Sequence, residues 1–499
     1  MNLNKIIEKA NILDYKFILL NSIKLVDSIT LSSEEAKGNS IFVAIKGFQT
    51  DGHIFIIDAY NNGCRNFIVE NIDYINDDIA VDSSIVLVND SRGAFGKISN
   101  LFYDFPFKKL KMVGITGTKG KTTVSILIYT FLKNKYKTSL FSTIKNIINN
   151  KEIEANRTTM EANELEKALR DSLNRRTTHS VVEVSSHAVT LKRIVDVEFD
   201  IGVFTSFSQD HLDLYKTMKN YFEAKLDFFR MLNNSSKKNK YAVINMVDKR
   251  GIDVANILNK SVKKIGVGYS DDCEVKILRE HSSFDGLEVD FSYNKKTYSF
   301  STKIRGRFNI LNIVISYIVA LLLGVKSKVI NNSLAKINGI EGRFDIVVEK
   351  PFMVIVDYAH NPDSLRKILI EAKKIAKGNL IVVFGCGGDR DKEKRPIMGN
   401  IATSKASYTF ITNDDTYRED PNAIIKMIVS GIKKYKNDKF SVILDRKEAI
   451  KAALLMAKDG DVIVVAGMGH QKYQIIDNEK IKYNDKDTIL SIVKELNFS

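Results

Sequence analysis

The sequence predicts an α/β protein of three domains: a small N-terminal α/β domain, a central P-loop parallel sheet with a flanking antiparallel segment, and a C-terminal Rossmann-like parallel sheet. Three observations predict it. Short β-branched runs alternate with helical patterns, as in parallel sheets covered by helices. The pattern changes character near residues 90 and 343, which divides the chain into 1–90, 91–342 and 343–499. With 499 residues and 44% apolar side chains, the chain has material for about three cores.

In residues 1–90 the runs are SIFVAIKG (Ser40–Gly47), NFIVE (Asn66–Glu70) and SIVLVND (Ser84–Asp90), with turn signals at QTDGH (Gln49–His53) and NNGC (Asn61–Cys64). Residues 91–106 read as a helix leading into the strand Met112–Ile115. HSVVEVSSH (His179–His187), IGVFTSFSQDH (Ile201–His211) and YAVINMVD (Tyr241–Asp248) follow. Each is an apolar run ending in polar residues, the pattern of buried parallel strands whose C-terminal ends form a site. EVKIL, LEVDFSY and KTYSFST, between 270 and 305, alternate and predict an antiparallel excursion on the domain edge. Ile310–Val325 is 16 residues without a charge, short of the roughly 18 that suggest a membrane span, and reads as a buried helix. In the last domain FMVIVDY, NLIVVFG, YTFIT, FSVIL and DVIVVAG predict a second parallel sheet.

Composition narrows the function classes. Three cysteines, Cys64, Cys273 and Cys386, lie far apart without C-x-x-C spacing, so neither a disulfide framework nor a zinc site is expected, and a reducing cytoplasm fits. The N-terminal stretch carries charges throughout, unlike a secretory leader. A net charge of +15 is compatible with nucleic acid, but the lysines are scattered among acids without a basic block. Anionic small substrates are the better expectation, with no nucleic acid and no membrane as partners.

The densest chemistry is MVGITGTKGKTT (Met112–Thr123): strand, glycine loop, then the helical pattern VSILIYTFLKN. Backbone N–H groups in such a loop, aided by the helix N-terminus, cradle a phosphate chain. Lys121 would reach the β/γ-phosphates and the Thr122 hydroxyl would ligate Mg²⁺. The spacing departs from G-x-x-x-x-G-K-[ST], since Ile115 stands five residues before Gly120 and the other glycines are Gly114 and Gly117. Glu183, inside a second apolar strand, occupies the place of a Mg²⁺-supporting carboxylate, and an unpaired acid is costly there.

Four further stretches stand out. SQDHLD (Ser208–Asp213) ends a strand, with Ser208 or Asp210 as a helix cap the alternative to a functional role. Lys225 sits among aromatic residues, where a solvated lysine is the plain alternative. DYAHNPDSL (Asp357–Leu365) offers Asp357 to a ribose and His360 to a phosphate, or a turn capped by Asn361 or Asp363. GCGGDRDKEKRP (Gly385–Pro396) places Arg390 at the head of a charged loop. The partial glycine motifs there and in GMGHQK (Gly467–Lys472) lack dinucleotide spacing, so NAD is not expected.

Together these stretches resemble the Mur ligases, and within them the MurE branch, over nearly the whole chain: SIFVAIKG, GTKGKTT, EVSSHA, SQDHLD, YFEAK, RFNILN, GRFD, DYAHNPDSL, GCGGDRDKEKRPIMG and GMGHQ. The resemblance implies an ATP- and Mg²⁺-dependent ligase that adds the third residue to UDP-N-acetylmuramoyl-L-Ala-D-Glu in peptidoglycan synthesis, a cytoplasmic monomer taking a free amino acid. By that resemblance Gly117, Thr118, Lys119, Gly120, Lys121, Thr122, Thr123, Asn309, Asn312, Arg343, Asp357 and His360 would bind ATP. Lys121, Glu183, His211 and Lys225 would be catalytic, and Thr122, Glu183, His211 and a carbamylated Lys225 would hold metal. Ser32, Thr158, Thr159, Ser185 and Arg193 would meet the UDP-muramoyl peptide. Arg390, Asp414, Asp415, Tyr417, Gly467 and Gln471 would meet the amino acid.

The chain departs from the family pattern where that amino acid is chosen. Family members that add meso-diaminopimelate carry Asp-Asn-Pro-Arg, whose arginine forks onto the distal carboxylate; here the residues are Asp414, Asp415, Thr416 and Tyr417. Gly-Lys-Gly-His-Glu reads Gly467, Met468, Gly469, His470 and Gln471. Ser206 and Met160 also differ from the usual asparagine and proline. A lost guanidinium beside two acids favours L-lysine over meso-diaminopimelate as the added residue. A Mur-ligase paralogue with another acceptor and a P-loop nucleic-acid ATPase are the remaining alternatives.

Overall fold

The computed structural model describes residues 1–20, 25–47, 50–283, 285–433 and 438–496, so Gln49 of the QTDGH turn lies outside the described residues, as does the side chain of Asp213. Three main sheets and one hairpin organise the chain. The N-terminal sheet has the order Tyr15–Leu20, Ser84–Val88, Asn66–Val69, Ser40–Val43, Ser28–Thr30. Only Tyr15–Leu20 runs antiparallel to its neighbour. The helix Ser91–Phe102 follows, as expected for 91–106.

Eleven strands form the central sheet. Lys111–Thr116 lies between His179–Glu183 and Ile201–Phe204, parallel to both, with Ile115 opposite Glu183 and Thr116 opposite Phe204. Strands that follow Lys111–Thr116 in sequence lie on both sides of it, so their C-terminal ends open a crevice there. The antiparallel excursion is present as Val275–Ser283, Gly286–Tyr293 and Lys296–Thr302 on one edge. On the other edge the strands Lys145–Ile148 and Lys151–Glu154 form a hairpin that the hydrophobic pattern does not reveal, because the second strand is exposed throughout.

Two helices press on opposite faces of this sheet. Asn309–Leu322 is buried, as its apolar run predicts, and lies against the helix Lys121–Leu132 that leaves the glycine loop, where Ser316 Oγ donates to Val124 O at 3.4 Å. Each fully buried large apolar side chain here contributes roughly 1.5–3 kcal/mol. On the other face, Phe228 of the helix Met218–Asn234 stacks edge-on to Phe199 at 5.2 Å. A Cβ at Gly114 would stand 2.6 Å from the Phe228 ring, so this glycine serves helix packing rather than phosphate binding.

The C-terminal sheet has the order Asp345–Val348, Met353–Asp357, Val462–Ala466, Leu380–Phe384, Tyr408–Ile411, Phe440–Val442. All five expected strands are present and parallel; Asp345–Val348 adds an antiparallel edge. Asp357 and Phe384 both lie opposite Ala466, which gathers the loops after residues 357, 384, 411 and 466 at one end of the sheet. The hairpin Tyr473–Ile476 and Glu479–Lys482 leans over those loops through a bridge from Ile476 to Tyr417. No described helix is long and apolar enough to cross a membrane.

Candidate functional site

The glycine loop is shaped by two left-handed positions. Gly117 has φ +145° and a Cβ there would lie 2.0 Å from Thr205 Oγ1; Gly120 has φ +87° and its Cβ would lie 2.5 Å from Asn312 Oδ1. Side chains are excluded at both points. Thr118 N and Lys119 N donate to Ser206 O at 2.7 Å and Ser206 Oγ at 3.0 Å, so the amides without an intrahelical partner at the start of the helix Lys121–Leu132 are the ones a phosphate would meet. That cleft has a volume of about 370 Å³. Thr118, Lys119, Lys121 and Thr122 line it from the central sheet, Asp357, Tyr358 and His360 from the C-terminal sheet, and Phe308, Leu311 and Asn312 form a mixed wall.

Lys121 folds back onto its own loop, donating to Gly117 O at 3.0 Å and Thr118 O at 3.1 Å. Burial pushes its ammonium down to about 8. An anionic phosphate would replace those two carbonyls and restore the charge. Glu183 is fully buried, and hydroxyls and an amide satisfy it: Thr122 Oγ1 donates at 3.2 Å, Ser125 Oγ at 3.1 Å, Thr143 Oγ1 at 2.9 Å and Thr143 N at 3.1 Å. The cation partner expected for Glu183 is therefore not a lysine or arginine. Thr122 and Glu183 do form an adjacent pair of hard oxygen donors that fits Mg²⁺, which commonly takes one or two protein ligands and completes its shell with phosphate and water. No cluster of three or more His, Cys, Asp or Glu converges on one point among the described residues.

Lys225 is 1% exposed, against the solvated alternative. Its Nζ donates to Gly117 O at 2.9 Å and lies 4.4 Å from the Tyr221 ring centre. Burial, with the nearby Lys121 charge, holds its ammonium well below the usual lysine range. His211, at φ +54°, sets its ring edge-on to His187 at 4.6 Å, and burial pushes it down to about 4, leaving a neutral imidazole.

The two sheets meet across the cleft. Arg343 Nη2 donates to Thr122 Oγ1 at 3.3 Å and its guanidinium lies 4.7 Å from the Tyr358 ring. Asp357 accepts from Phe344 N at 2.8 Å, and burial raises its carboxyl above the ordinary range. Burial also holds His360 well below its usual value, while its Nδ1 faces Tyr358 O at 2.8 Å. Asn309 does not line the cleft; it accepts from Asn312 Nδ2 at 3.1 Å and braces that side chain from behind.

A second patch gathers four residues expected to meet the muramoyl peptide. Thr159 Oγ1 donates to Glu183 O at 2.7 Å, lies 3.2 Å from Ser185 Oγ and accepts from Ser185 N at 3.1 Å. Arg193 Nη1 donates to Thr159 O at 3.3 Å and its Nη2 pairs with Glu161 at 2.8 Å. Thr158 joins through Thr143 Oγ1, at 3.2 Å, which links this patch to Glu183. Ser32 stands apart on the N-terminal sheet, where its N–H donates to Thr30 Oγ1 at 3.0 Å.

The third group lies at the end of the C-terminal sheet. Arg390 Nη2 donates to the Tyr417 hydroxyl at 3.1 Å with its guanidinium 5.0 Å from that ring. Asp415 accepts from Gln471 Nε2 at 3.1 Å and from Ile475 N at 2.8 Å; burial and the Asp414 charge push its carboxyl up to about 6. Gly467 has φ +118°, and its Cβ would lie 2.4 Å from Asp414 Oδ2. Beneath, Arg446 forks onto Asp485 at 2.8 Å through Nε and Nη2 and donates to Ala466 O and Asn413 O, pinning two of the loops. Arg395 likewise holds Glu419 and Gly387 O. Motif reading misses these braces and Thr143 because their partners lie far away in sequence. The cap alternative for DYAHNPDSL also holds: Asn361 Oδ1 accepts from Ser364 N at 3.1 Å. For SQDHLD it does not, since neither Ser208 nor Asp210 caps the short helix Leu212–Tyr215.

Comparison with known proteins adds to this geometry. Residues 115–320 match the Mur ligase middle domain and residues 342–469 the Mur ligase glutamate ligase domain. A Clostridium botulinum protein named UDP-N-acetylmuramoyl-L-alanyl-D-glutamate–2,6-diaminopimelate ligase is 39% identical across 99% of this chain and 100% of its own. A Clostridium tetani protein of the same name is 38% identical across 99% and 100%. A solved structure of a ligase so named superposes with TM-score 0.64 at 27% identity, covering 95% of this chain and 96% of that one. The fold is shared with MurF from Thermotoga maritima, TM-score 0.60 at 20% identity, over 94% and 97% of the two chains. The preference for L-lysine finds no support among these relatives. It rested on Tyr417 standing for the usual arginine beside Asp414 and Asp415 and on Gln471 standing for the usual glutamate; in the fold Arg390, from another loop, lays its guanidinium over Tyr417.

Proposed function

The chain belongs to the Mur ligase family, an ATP-dependent ligase of peptidoglycan precursor synthesis, and from that premise we propose that it joins meso-diaminopimelate to UDP-N-acetylmuramoyl-L-Ala-D-Glu in the cytoplasm. We assign UDP-muramoyl binding to domain 1–90, ATP to 91–342 and the amino acid to 343–499. The observation that carries the reading is the meeting of two strand-end crevices, joined by Arg343 and Thr122, over one glycine loop.

A carboxylate is a poor electrophile, so the γ-phosphoryl of ATP first moves to the D-Glu side-chain carboxylate, giving an acyl phosphate and ADP. The incoming amine attacks the acyl carbon, and phosphate leaves from the tetrahedral intermediate. Lys121, released from Gly117 O and Thr118 O, offsets the charge of the two approaching anions. Mg²⁺ would be held by Glu183 and Thr122, with His211 and Lys225 beside them, and would neutralise phosphate charge. A carbamate on buried Lys225, formed when its deprotonated amine adds to CO₂ and loses one proton, would present oxygens in place of an ammonium. Phe308 and Leu311 offer an apolar wall to the adenine, and Asn312 a polar edge. Holding the reactants in line can supply about 7–11 kcal/mol of the barrier, and closure of the C-terminal domain over the cleft would keep water from the acyl phosphate.

Arg390 and the Tyr417 hydroxyl supply a cation and a polar group where a second carboxylate can bind, which is why diaminopimelate fits better than lysine. The test is phosphate release and amide formation with ATP, Mg²⁺, the UDP-muramoyl dipeptide and a panel of amino acids. Turnover with meso-diaminopimelate is expected. Turnover with L-lysine alone would overturn the acceptor, and stimulation by polynucleotide without the dipeptide would overturn the function.

A further inference from the structure

Asp210 joins two other segments of the chain to its own. Its Oδ2 accepts from Lys119 Nζ of the glycine loop at 3.3 Å and from Asn361 Nδ2 of the C-terminal domain at 3.1 Å, while Oδ1 accepts from His211 N at 3.1 Å. Asn361 is 3% exposed and its polarity is fixed, because its Oδ1 is occupied as the cap of the helix Pro362–Ile375. The amide nitrogen is therefore the half left to face Asp210. One residue earlier, His360 O accepts from Lys394 Nζ at 2.9 Å, and Lys394 begins the helix that follows the Arg390 loop.

We propose that Asp210 and Asn361 are a positioning pair that couples the glycine loop to the loop holding the amino acid. The inference rests on the function proposed above. Lys119 and Asn361 share one carboxylate oxygen. A phosphate anion that draws Lys119 away leaves that oxygen to Asn361 alone, which tightens the hold on the C-terminal sheet. Through His360 and Lys394 that hold reaches the Arg390 loop. Linkage makes the effect reciprocal: nucleotide improves amino-acid binding by the factor that amino acid improves nucleotide binding.

The test uses the full chain and a swap of donor and acceptor. Asn361→Asp keeps the helix cap, since aspartate caps as well as asparagine, but sets two carboxylates against each other. The double variant Asp210→Asn with Asn361→Asp restores one hydrogen bond with its direction reversed. Asn361→Asp is expected to raise KM for the amino acid about tenfold, with the affinity for a non-hydrolysable ATP analogue, measured without amino acid, little changed. The double variant should recover most of the loss. Asn361→Ser, which keeps a cap and adds no charge, should give a smaller rise in the same direction and serves if Asn361→Asp does not fold. An unchanged KM in Asn361→Asp, or a double variant no better than its parents combined, would overturn the coupling. Small-angle scattering reads the pair without turnover: Asn361→Asp should expand the molecule and the double variant contract it. A wild-type chain that forms no amide while Asn361→Asp expands and the double variant contracts would refute the proposed function while sparing the pair; an active wild type whose variants show no such change refutes the pair alone.

Discussion

The glycine loop of the cleft and the Arg390 cluster at the end of the C-terminal sheet are built by different means. At Gly117 and Gly120 the recognising groups belong to the backbone, and only the absence of side chains is required. At the other cluster, Arg390, Asp415 with Tyr417, and Gln471 come from three loops, and buried Arg446 and Arg395 hold those loops in place. A backbone site is specified by a short local sequence and varies little. A site of converging side chains can exchange one charge for another from a different loop while its chemistry persists.

Substitutions can sharpen or break that contrast. The largest effect is expected at the phosphate end: Lys121→Ala should lower turnover by about 10²–10³-fold in a phosphate-release assay, and near-normal release would refute its role. Next comes a brace at the other end. Arg446→Met leaves Asp485 buried without its partner and should cost roughly 3–5 kcal/mol in denaturant unfolding, with melting led by the C-terminal domain. A loss below 1 kcal/mol would mean that the pair does not support the loops. Tyr417→Phe removes the hydroxyl that accepts from Arg390 and should raise KM for the amino acid about 2–10-fold while leaving KM for ATP unchanged. Parallel changes in both constants would erase the distinction between the two ends.

Two further effects concern pH, and their signs are opposite. Asp415 is raised to about 6 from the ordinary 3.8, so the folded chain holds a proton that the unfolded chain has lost between those values. Stability therefore falls as pH rises from about 4 through 6, and Asp415→Asn should remove that decline. Lys121 is lowered to about 8 from 10.5, so the unfolded chain holds the extra proton between 8 and 10.5. Stability rises across that window in the nucleotide-free chain, and Lys121→Met should flatten the rise. Thermal unfolding from pH 4 to 10.5 checks both.

The same contrast explains what was legible in the sequence. Strands such as His179–Glu183 and Val462–Ala466 are buried on both faces, so their unbroken β-branched runs announce them. Lys151–Glu154, fully exposed, and the late hairpin Glu479–Lys482 carry no such signal. Lys121, Thr122 and Glu183 were readable because loop, helix start and neighbouring strand fix them locally. The lysine preference read from residues 414–417 and Gln471 finds no support among the relatives, and the contact of Arg390 with Tyr417, 27 residues away, is made only in the fold. Asn361 could be read as a cap, but the other half of its side chain, turned to Asp210, could not.

Carboxylate activation is tested most directly by following oxygen. With ¹⁸O in the D-Glu side-chain carboxylate of the UDP-muramoyl dipeptide, ATP and meso-diaminopimelate, one labelled oxygen should appear in each phosphate released with the amide. Phosphate free of label, formed while the amide accumulates, would contradict an acyl phosphate on the path.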